Sequence, residues 1–332
     1  MTATSNTVLV AGGAGYVGAH ACKALAAAGY TPVVFDNFSA GHRHNVRYGP
    51  LVEGDIRDKP AVASALRDHA PFAVMHFAAS IEVGFGERYP TAFYDNNVGG
   101  VVAMLGAMAE TGVNRFIFSS TCAVYGDAQP PFDEDTPRAP ASVYARTKAA
   151  VEDLLLAEAK ASGLRPAILR YFNASGADPE GYHGEEHDPE THLIPNALKA
   201  AAGLGGPMKL FGEDYPTPDG TCLRDYVHVS DLAEAHLAAL ERLAAAPEPI
   251  VCNLGTGQPV SVRKVLAAVE HATGRAVPHT IEARRPGDVT ALYARVERAR
   301  DLLSFKPKRS DIPTIIADAW AFHRKAWGLS ER

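Results

Sequence analysis

Gly12, Gly15 and Gly18 stand in GxxGxxG spacing between a short apolar run, Asn6–Ala11, and an alanine-rich stretch, Gly15–Gly29, that ends in glycine. The run reads as a buried strand, the stretch as a helix and Thr31–Asp36 as a second buried strand, so the glycines lie at the turn of a βαβ unit. Missing side chains at that turn permit its tight backbone. They also let a diphosphate approach the start of the helix, around Tyr16 and Val17, where backbone N–H groups do the binding. Glycines also serve tight turns and close helix packing, and it is their place inside a βαβ unit that points to a dinucleotide. Asp36 ends the second strand 18 residues after Gly18, where a carboxylate can accept hydrogen bonds from an adenosine ribose. Its charge repels a 2′-phosphate and favours NAD over NADP, while Arg43 and Arg47, close behind, keep the phosphorylated alternative open.

The alternation continues through a helix over Ala61–His69, a strand over Phe72–Phe77, a helix around Phe93–Glu110, a strand over Arg115–Ser119, a helix over Val143–Ala161 and a strand over Arg165–Tyr171. Strands alternating with helices predict an α/β fold, a Rossmann-like doubly wound parallel sheet covered on both faces. Beyond Asn173 the chain turns rich in Gly, Pro and His, with loop-like runs at Ala177–Glu190 and Gly203–Gly220. The expected organisation is therefore a dinucleotide-binding domain over 1–173 and a smaller, irregular α/β substrate domain over 174–332. Within the latter, 222–245 is expected to return to the first domain, with a strand at Tyr226–Val229 joining the sheet ahead of a helix over Ser230–Ala245.

The formal charge of −6 comes from 32 basic and 38 acidic side chains spread along the chain. No polybasic face is left for nucleic acid or an anionic membrane, so anionic ligands fall to a few placed arginines. Cys22, Cys122, Cys222 and Cys252 are far apart with no CxxC pair, which argues against a zinc site and a disulfide framework; no metal is expected. Met1–Val10 lacks a basic region, and the apolar stretch after it is broken by His20 and Lys23, so neither signal peptide nor spanning helix is expected. A cytoplasmic location follows from these readings.

Tyr144 and Lys148 are spaced i, i+4 at the start of a predicted helix, on one face, with the lysine able to act on the phenol. An ammonium and a cationic nicotinamide nearby would favour phenolate and make Tyr144 a base; the bland reading is a half-buried Tyr beside a surface Lys. Ser119-Ser120-Thr121 falls at the C-terminal end of a strand, the edge where open α/β sheets bind ligands, and Thr121 there offers a hydroxyl relay.

Taken together, the glycine loop, Asp36-Asn37, Gly54-Asp55-Ile56, His76-Phe77-Ala78-Ala79, Asp95-Asn96-Asn97-Val98, Ser119-Ser120-Thr121, Tyr144-x-x-x-Lys148 and Leu169-Arg170-Tyr171-Phe172-Asn173 resemble the extended short-chain dehydrogenase/reductases. Within them the likeness is to the NAD-dependent nucleotide-sugar 4-epimerases. It runs on through Lys209–Thr217, Gly220–Tyr226, Asn253–Gly257 and Arg285-Pro286-Gly287-Asp288, nearly the whole chain. The resemblance implies reversible C4 epimerisation of UDP-galactose and UDP-glucose through a 4-keto sugar, with NAD kept bound and transiently reduced. Tyr144 takes the O4 proton through or beside Thr121, with Lys148 as the third member of the trio.

The resemblance also implies cofactor contacts from Asp36, Asn37, Ser39, Asn96, Ser119, Tyr144, Lys148 and Tyr171. Asp55 and Ile56 flank the adenine, and Phe77, Ala78 and Ala79 leave room for the diphosphate and ribose. On the substrate side it implies Asn173, Arg224 and Arg285 at the UDP diphosphate, Leu210 and Phe211 at the uracil and Asp288 at the uridine ribose. His192 and Leu193 line the same site, with Thr121 and Tyr144 at the sugar. The chain departs from the family pattern at Ile81, His192 and Gln258-Pro259, none of them in the catalytic trio. Leu292 aligns with a family position where a bulky aromatic narrows the sugar pocket and a small residue admits N-acetyl groups; leucine falls between them, so partial exclusion of UDP-N-acetylglucosamine is expected, and a UDP-pentose or UDP-N-acetylhexosamine remains the alternative substrate. A nucleotide-sugar 4,6-dehydratase would carry Thr-Asp-Glu where this chain has Thr121-Cys122-Ala123. A silent nucleotide-binding regulator would be free to lose the trio. The family likeness also implies a homodimer, with the helices Phe93–Glu110 and Val143–Ala161 paired across a two-fold axis and Ala103, Ala107 and Ala109 allowing close packing.

Overall fold

A computed structural model describes residues 6–285 and 288–330. Seven strands form one parallel sheet, in the spatial order 250–254, 165–171, 115–121, 73–76, 7–11, 31–36, 51–53. The chain winds outward from Thr7–Ala11 in one direction, then crosses back to Ala73–His76 and winds the other way. The order therefore reverses between these two strands, and the crevice at their C-terminal ends is where such sheets take ligands.

Period-two alternation decides the layers. Val8, Val10, Met75, Ile117 and Leu169 face one side of the sheet, against Leu25 of helix Tyr16–Ala27 and Leu232 and Leu240 of helix Val229–Ala245. Leu9, Ala11, Val74, Phe116, Phe118 and Ile168 face the other, against helices Lys59–His69, Gly100–Thr111 and Val143–Ala161. A third core joins helices Leu193–Ala202, Val262–Thr273 and Ile312–Ala326 through Ile194, Leu198, Val265, Val269, Ile315 and Ile316. Beside it lie short strand pairs, among them Met208–Phe211 with His279–Glu282.

The expected elements of the first lobe stand within a few residues, with Val143–Ala161 and Arg165–Tyr171 at the expected bounds. Ser142 caps the former by accepting from the Ala145 N–H. Three expectations change. The helix around Phe93–Glu110 is broken into Pro90–Tyr94, a π turn over Asp95–Gly99 and Gly100–Thr111. Helix Val229–Ala245 does pack on Tyr16–Ala27, but strand Tyr226–His228 pairs with Asn173–Ser175 in a separate two-stranded sheet. The edge beside Arg165–Tyr171 is filled instead by Ile250–Leu254. Finally, Ala107 is fully buried in the molecule's own core, leaving Val102 and Ala109 exposed on the outer side of that helix.

The loop-rich run 176–187 is tied to the part of the chain before Asn173 at several places. Tyr16 Oη donates to the Gly176 carbonyl at 2.6 Å, Lys23 pairs with Asp178 at 2.6 Å, His183 meets Asn45 at 2.9 Å, and His42 meets the Glu186 carbonyl at 2.8 Å.

Candidate active site

At the switch point Gly12 has φ +78°, and a Cβ there would stand 2.5 Å from the Ala78 nitrogen. One on Gly18 would stand 2.1 Å from the Gly12 carbonyl oxygen, so both glycines are fixed by backbone approach. Gly15 differs: its Cβ would meet only the Gly12 oxygen, at 3.4 Å, and no side chain caps the helix that begins at Tyr16. An uncapped helix start facing open space suits a diphosphate. The Tyr16 phenol is spent on the Gly176 carbonyl, and Val17 is half-buried in the same turn.

Asp36 is buried, and its carboxylate accepts the N–H groups of Ala14 at 2.9 Å and Phe38 at 2.8 Å, which fixes it at the crevice mouth. Asn37 donates to Asp55 at 3.2 Å and accepts from the Ser39 N–H at 3.0 Å. Hydrogen bonds from Arg57, at 2.7 and 2.9 Å, hold the Asp55 carboxyl well below its usual range. Ile56 is buried against Gly100, Phe77 packs on the His236 ring at 4.8 Å, and Ala78 and Ala79 are half-buried.

Thr121 ends its strand, while Tyr144 and Lys148 occupy the first turns of the facing helix. Lys148 Nζ donates to the Ser119 carbonyl at 2.7 Å and lies 5.9 Å from the centre of the Tyr144 ring. Burial pulls the ammonium down to about 7, with Glu152 acting the other way. Burial also raises the Tyr144 phenol, Tyr171 adds to this, and a hydrogen bond from Thr121 opposes it. The hydroxyls of Ser119 and Tyr171 share a hydrogen bond, and burial pushes the latter up to about 12. Cys122 is buried, its thiol pushed up to about 12, so the sulfhydryl nearest the trio stays protonated.

Sequence reasoning passed over two supports. Glu152, one turn after Lys148, is buried and accepts from Ser120 at 2.5 Å and from Arg170 at 2.6 Å. Asn97, neighbour of the expected Asn96, is buried. It accepts the Ser80 N–H at 2.8 Å and donates to Thr147 Oγ1 at 3.1 Å; that hydroxyl in turn donates to the Tyr144 carbonyl at 2.7 Å. Asn96 itself donates to Ser80 and Asn97. The i, i+4 spacing of Glu152 from Lys148 was the available signal; nothing in the sequence distinguishes Asn97 from Asn96.

On the second lobe, Arg224 donates to the carbonyls of Leu223 at 2.9 Å and Val289 at 3.0 Å and reaches Asp288 at 3.5 Å. The Arg285 guanidinium carbon lies 3.9 Å from the centre of the Phe211 ring. Pro286 and Gly287, between the last two motif residues, lie outside the described residues. Asn173 gives its N–H to the Asp225 carbonyl, at 2.9 Å. Leu210 is turned into the third core, so Phe211 alone of that pair presents a side chain. His192 directs Nδ1 at Glu185 and Glu190, and Leu193 packs at the edge of the third core. Leu292 packs near Tyr125 and Phe132. The Arg224 charge opposes the effect of burial on the Cys122 thiol, next to Thr121.

Residues 8–255 match the model of the NAD dependent epimerase/dehydratase family. A UDP-glucose 4-epimerase of Rhizobium leguminosarum bv. trifolii is 50% identical over 321 residues, 96% of this chain and 98% of that protein. The crystal structure of UDP-glucose 4-epimerase from Brucella ovis in complex with NAD superposes with a TM-score of 0.95 at 48% identity, covering 99% of this chain and 100% of the other. That of a UDP-glucose-4-epimerase from Stenotrophomonas maltophila, with bound NAD and formylated UDP-arabinopyranose, gives 0.94 at 39% identity, covering 97% and 99%.

The depressed lysine has a consequence for stability. Folded Lys148 gives up its proton near 7 where the unfolded residue does so near 10.5. Between these values the unfolded chain binds more protons, and stability rises with pH. Urea unfolding of ligand-free protein should show the stability of wild type, relative to Lys148→Met, climbing from about pH 7 to 10.5. A difference that does not change with pH would mean Lys148 titrates normally.

Proposed function

The chain belongs to the NAD dependent epimerase/dehydratase family, and on that premise we propose that it is a UDP-glucose 4-epimerase, interconverting UDP-galactose and UDP-glucose through a 4-keto sugar. The observation that carries this is the meeting of Thr121, Tyr144 and Lys148 beside the uncapped glycine turn. Bound NAD supplies the redox chemistry, taking hydride from C4 and returning it to the opposite face.

The residues fit that group. The open turn at Gly15, Tyr16, Val17 and Gly18 would hold the diphosphate and Asp36 the adenosine ribose, helped by Asn37 and Ser39. Asp55 and Ile56 would border the adenine, and Phe77, Ala78, Ala79, Asn96, Ser119 and Tyr171 would line the remainder. Tyr144 and Lys148 work as a couple. Burial disfavours phenolate and ammonium separately, and an ion pair between them recovers part of both costs. Tyr144 can therefore accept the O4 proton, with Thr121 sharing the hydrogen bond and Lys148 holding the compensating charge. Arg224 and Arg285, with Asn173, would anchor the UDP diphosphate while the hexose turns. Phe211 would meet the uracil and Asp288 its ribose. Cys122 and Ala123 follow Thr121 in a 3-10 turn and offer no carboxylate for elimination, which disfavours dehydration.

A second reading keeps the reaction and changes the sugar, and the formylated UDP-arabinopyranose bound by the Stenotrophomonas relative favours testing it. Leu292 is expected to narrow the pocket against N-acetyl groups. For assembly, we propose a homodimer through the surface carrying the exposed Tyr89, Tyr94 and Val102. No helix among the described residues is long and apolar enough to cross a membrane. The four cysteines are buried free thiols, which fits the reducing conditions of a cytoplasmic location.

Purified protein incubated with UDP-galactose and no added NAD is expected to form UDP-glucose, and denaturation to release NAD; a 4-keto-6-deoxy product would overturn the assignment. Tyr144→Phe should cut turnover by roughly 10²–10⁴-fold while still releasing NAD. UDP-N-acetylglucosamine should turn over more slowly than UDP-glucose, and Leu292→Ser should narrow that gap; an unchanged ratio removes Leu292 as a determinant. Sedimentation should give a dimer for wild type and a monomer for Val102→Glu, and a monomeric wild type would refute the dimer.

A further inference from the structure

The segment ahead of helix Leu193–Ala202 brings Glu185, His187, Glu190 and His192 together with one donor atom from each, all within 4.8 Å of one another. Two of these side chains are carboxylates with only 6% and 3% of their surface exposed, Glu185 and Glu190. Buried carboxylates this close need a cation between them. His192 partly fills that need, with Nδ1 at 2.8 Å from Glu185 and 3.0 Å from Glu190. His187 does not. Its Nδ1 is buried, 3.3 Å from Glu185 and 3.9 Å from Glu190, yet makes no hydrogen bond. A buried nitrogen this close to two carboxylates and bonded to neither is free to serve as a ligand.

We propose that Glu185, His187, Glu190 and His192 form a binding site for a first-row divalent transition metal of the Zn²⁺ class, separate from the catalytic trio. Two imidazole nitrogens and two carboxylate oxygens suit such ions better than Ca²⁺ or Mg²⁺, which prefer oxygen alone. A tetrahedral ion with bonds of about 2.0–2.2 Å holds its donors roughly 3.3–3.6 Å apart, a contraction of the order of an ångström from the present spread. The surroundings already orient the ligands. Glu190 Oε1 accepts the Thr191 and His192 N–H groups at 2.8 Å each, leaving Oε2 for the ion. The His187 ring stands edge-on to Tyr16 at 6.5 Å and leans on His192 at 5.0 Å. Four protein ligands make the site structural, pinning the seam between the dinucleotide turn and the helix that begins at Leu193.

Charge closes the balance: two carboxylates and two neutral imidazoles neutralise a dication.

The test uses full-length, chelator-treated protein with its nucleotide cofactor in place, titrated with ZnCl₂ near neutral pH. One equivalent should bind, read by calorimetry. X-ray absorption of the zinc-loaded protein should show two imidazoles. His187→Gln and Glu190→Gln should each weaken binding at least roughly tenfold while keeping NAD and the wild-type melting profile. No stoichiometric binding, fewer than two imidazoles, or undiminished affinity in both variants would overturn the proposal. Should the variants fail to fold, the absorption measurement on wild type decides it alone.

Discussion

The approach of Gly12 to the backbone of Phe77 and Ala78 is the constraint on which the site depends. Ala78 and Phe77 both donate to the Ala11 carbonyl, so the strands on either side of the reversal are joined just where they leave the sheet. A side chain on Gly12 would force them apart, and one on Gly18 would push the helix off the turn. With both absent, the helix start, Asp36 and the end of Arg115–Thr121 converge on one crevice. Where a ligand binds is fixed by sheet order before any side chain chooses what it is.

A second dependence lies beneath the trio. Glu152 sits fully buried with Arg170 bonded to it, Arg138 at 3.1 Å and the Ser120 hydroxyl against it. Such a network is costly if one partner is missing. Here it joins the strand bearing Thr121, the helix bearing Tyr144 and the strand bearing Tyr171. Arg170 also reaches the Tyr125 hydroxyl at 3.0 Å, which itself bonds Asn253 at 2.7 Å. The position of the reacting groups is thus set by polar bonds running behind them, and the charge of Glu152 moderates the cost of burying the Lys148 ammonium.

Much of this was legible in the chain, for identifiable reasons. The βαβ alternation, the glycine triad and the i, i+4 pair are local patterns with one dominant physical outcome each, and helix Val143–Ala161 carries its own cap in Ser142. What escaped was non-local. Ile250–Leu254 becomes the seventh strand because the edge beside Arg165–Tyr171 is free, a fact no window of sequence contains. Leu210 and Ala107 looked like contact residues and are core residues because the facing helices happen to lie on their side. The π turn at Asp95–Gly99 sets which of two adjacent asparagines turns inward. The Glu-x-His-x-x-Glu-x-His spacing from Glu185 to His192 passed as loop, since its meaning depends on how an irregular segment doubles back.

The ties between 176–187 and the chain around the glycine turn bear on how long a bound dinucleotide would stay. Tyr16, Lys23, His42 and Asn45 belong to the helix and turn that flank the glycine crevice, and each is fastened to the same strap of chain. Opening that side requires the ties to yield together, a rare event compared with the loss of any one of them. The proposed UDP side is framed by short strand pairs and side chains such as Arg285 over Phe211, which can part singly. Two mouths held in these two ways would work on separate clocks, the tied side releasing a ligand far less often than the side framed by short strand pairs.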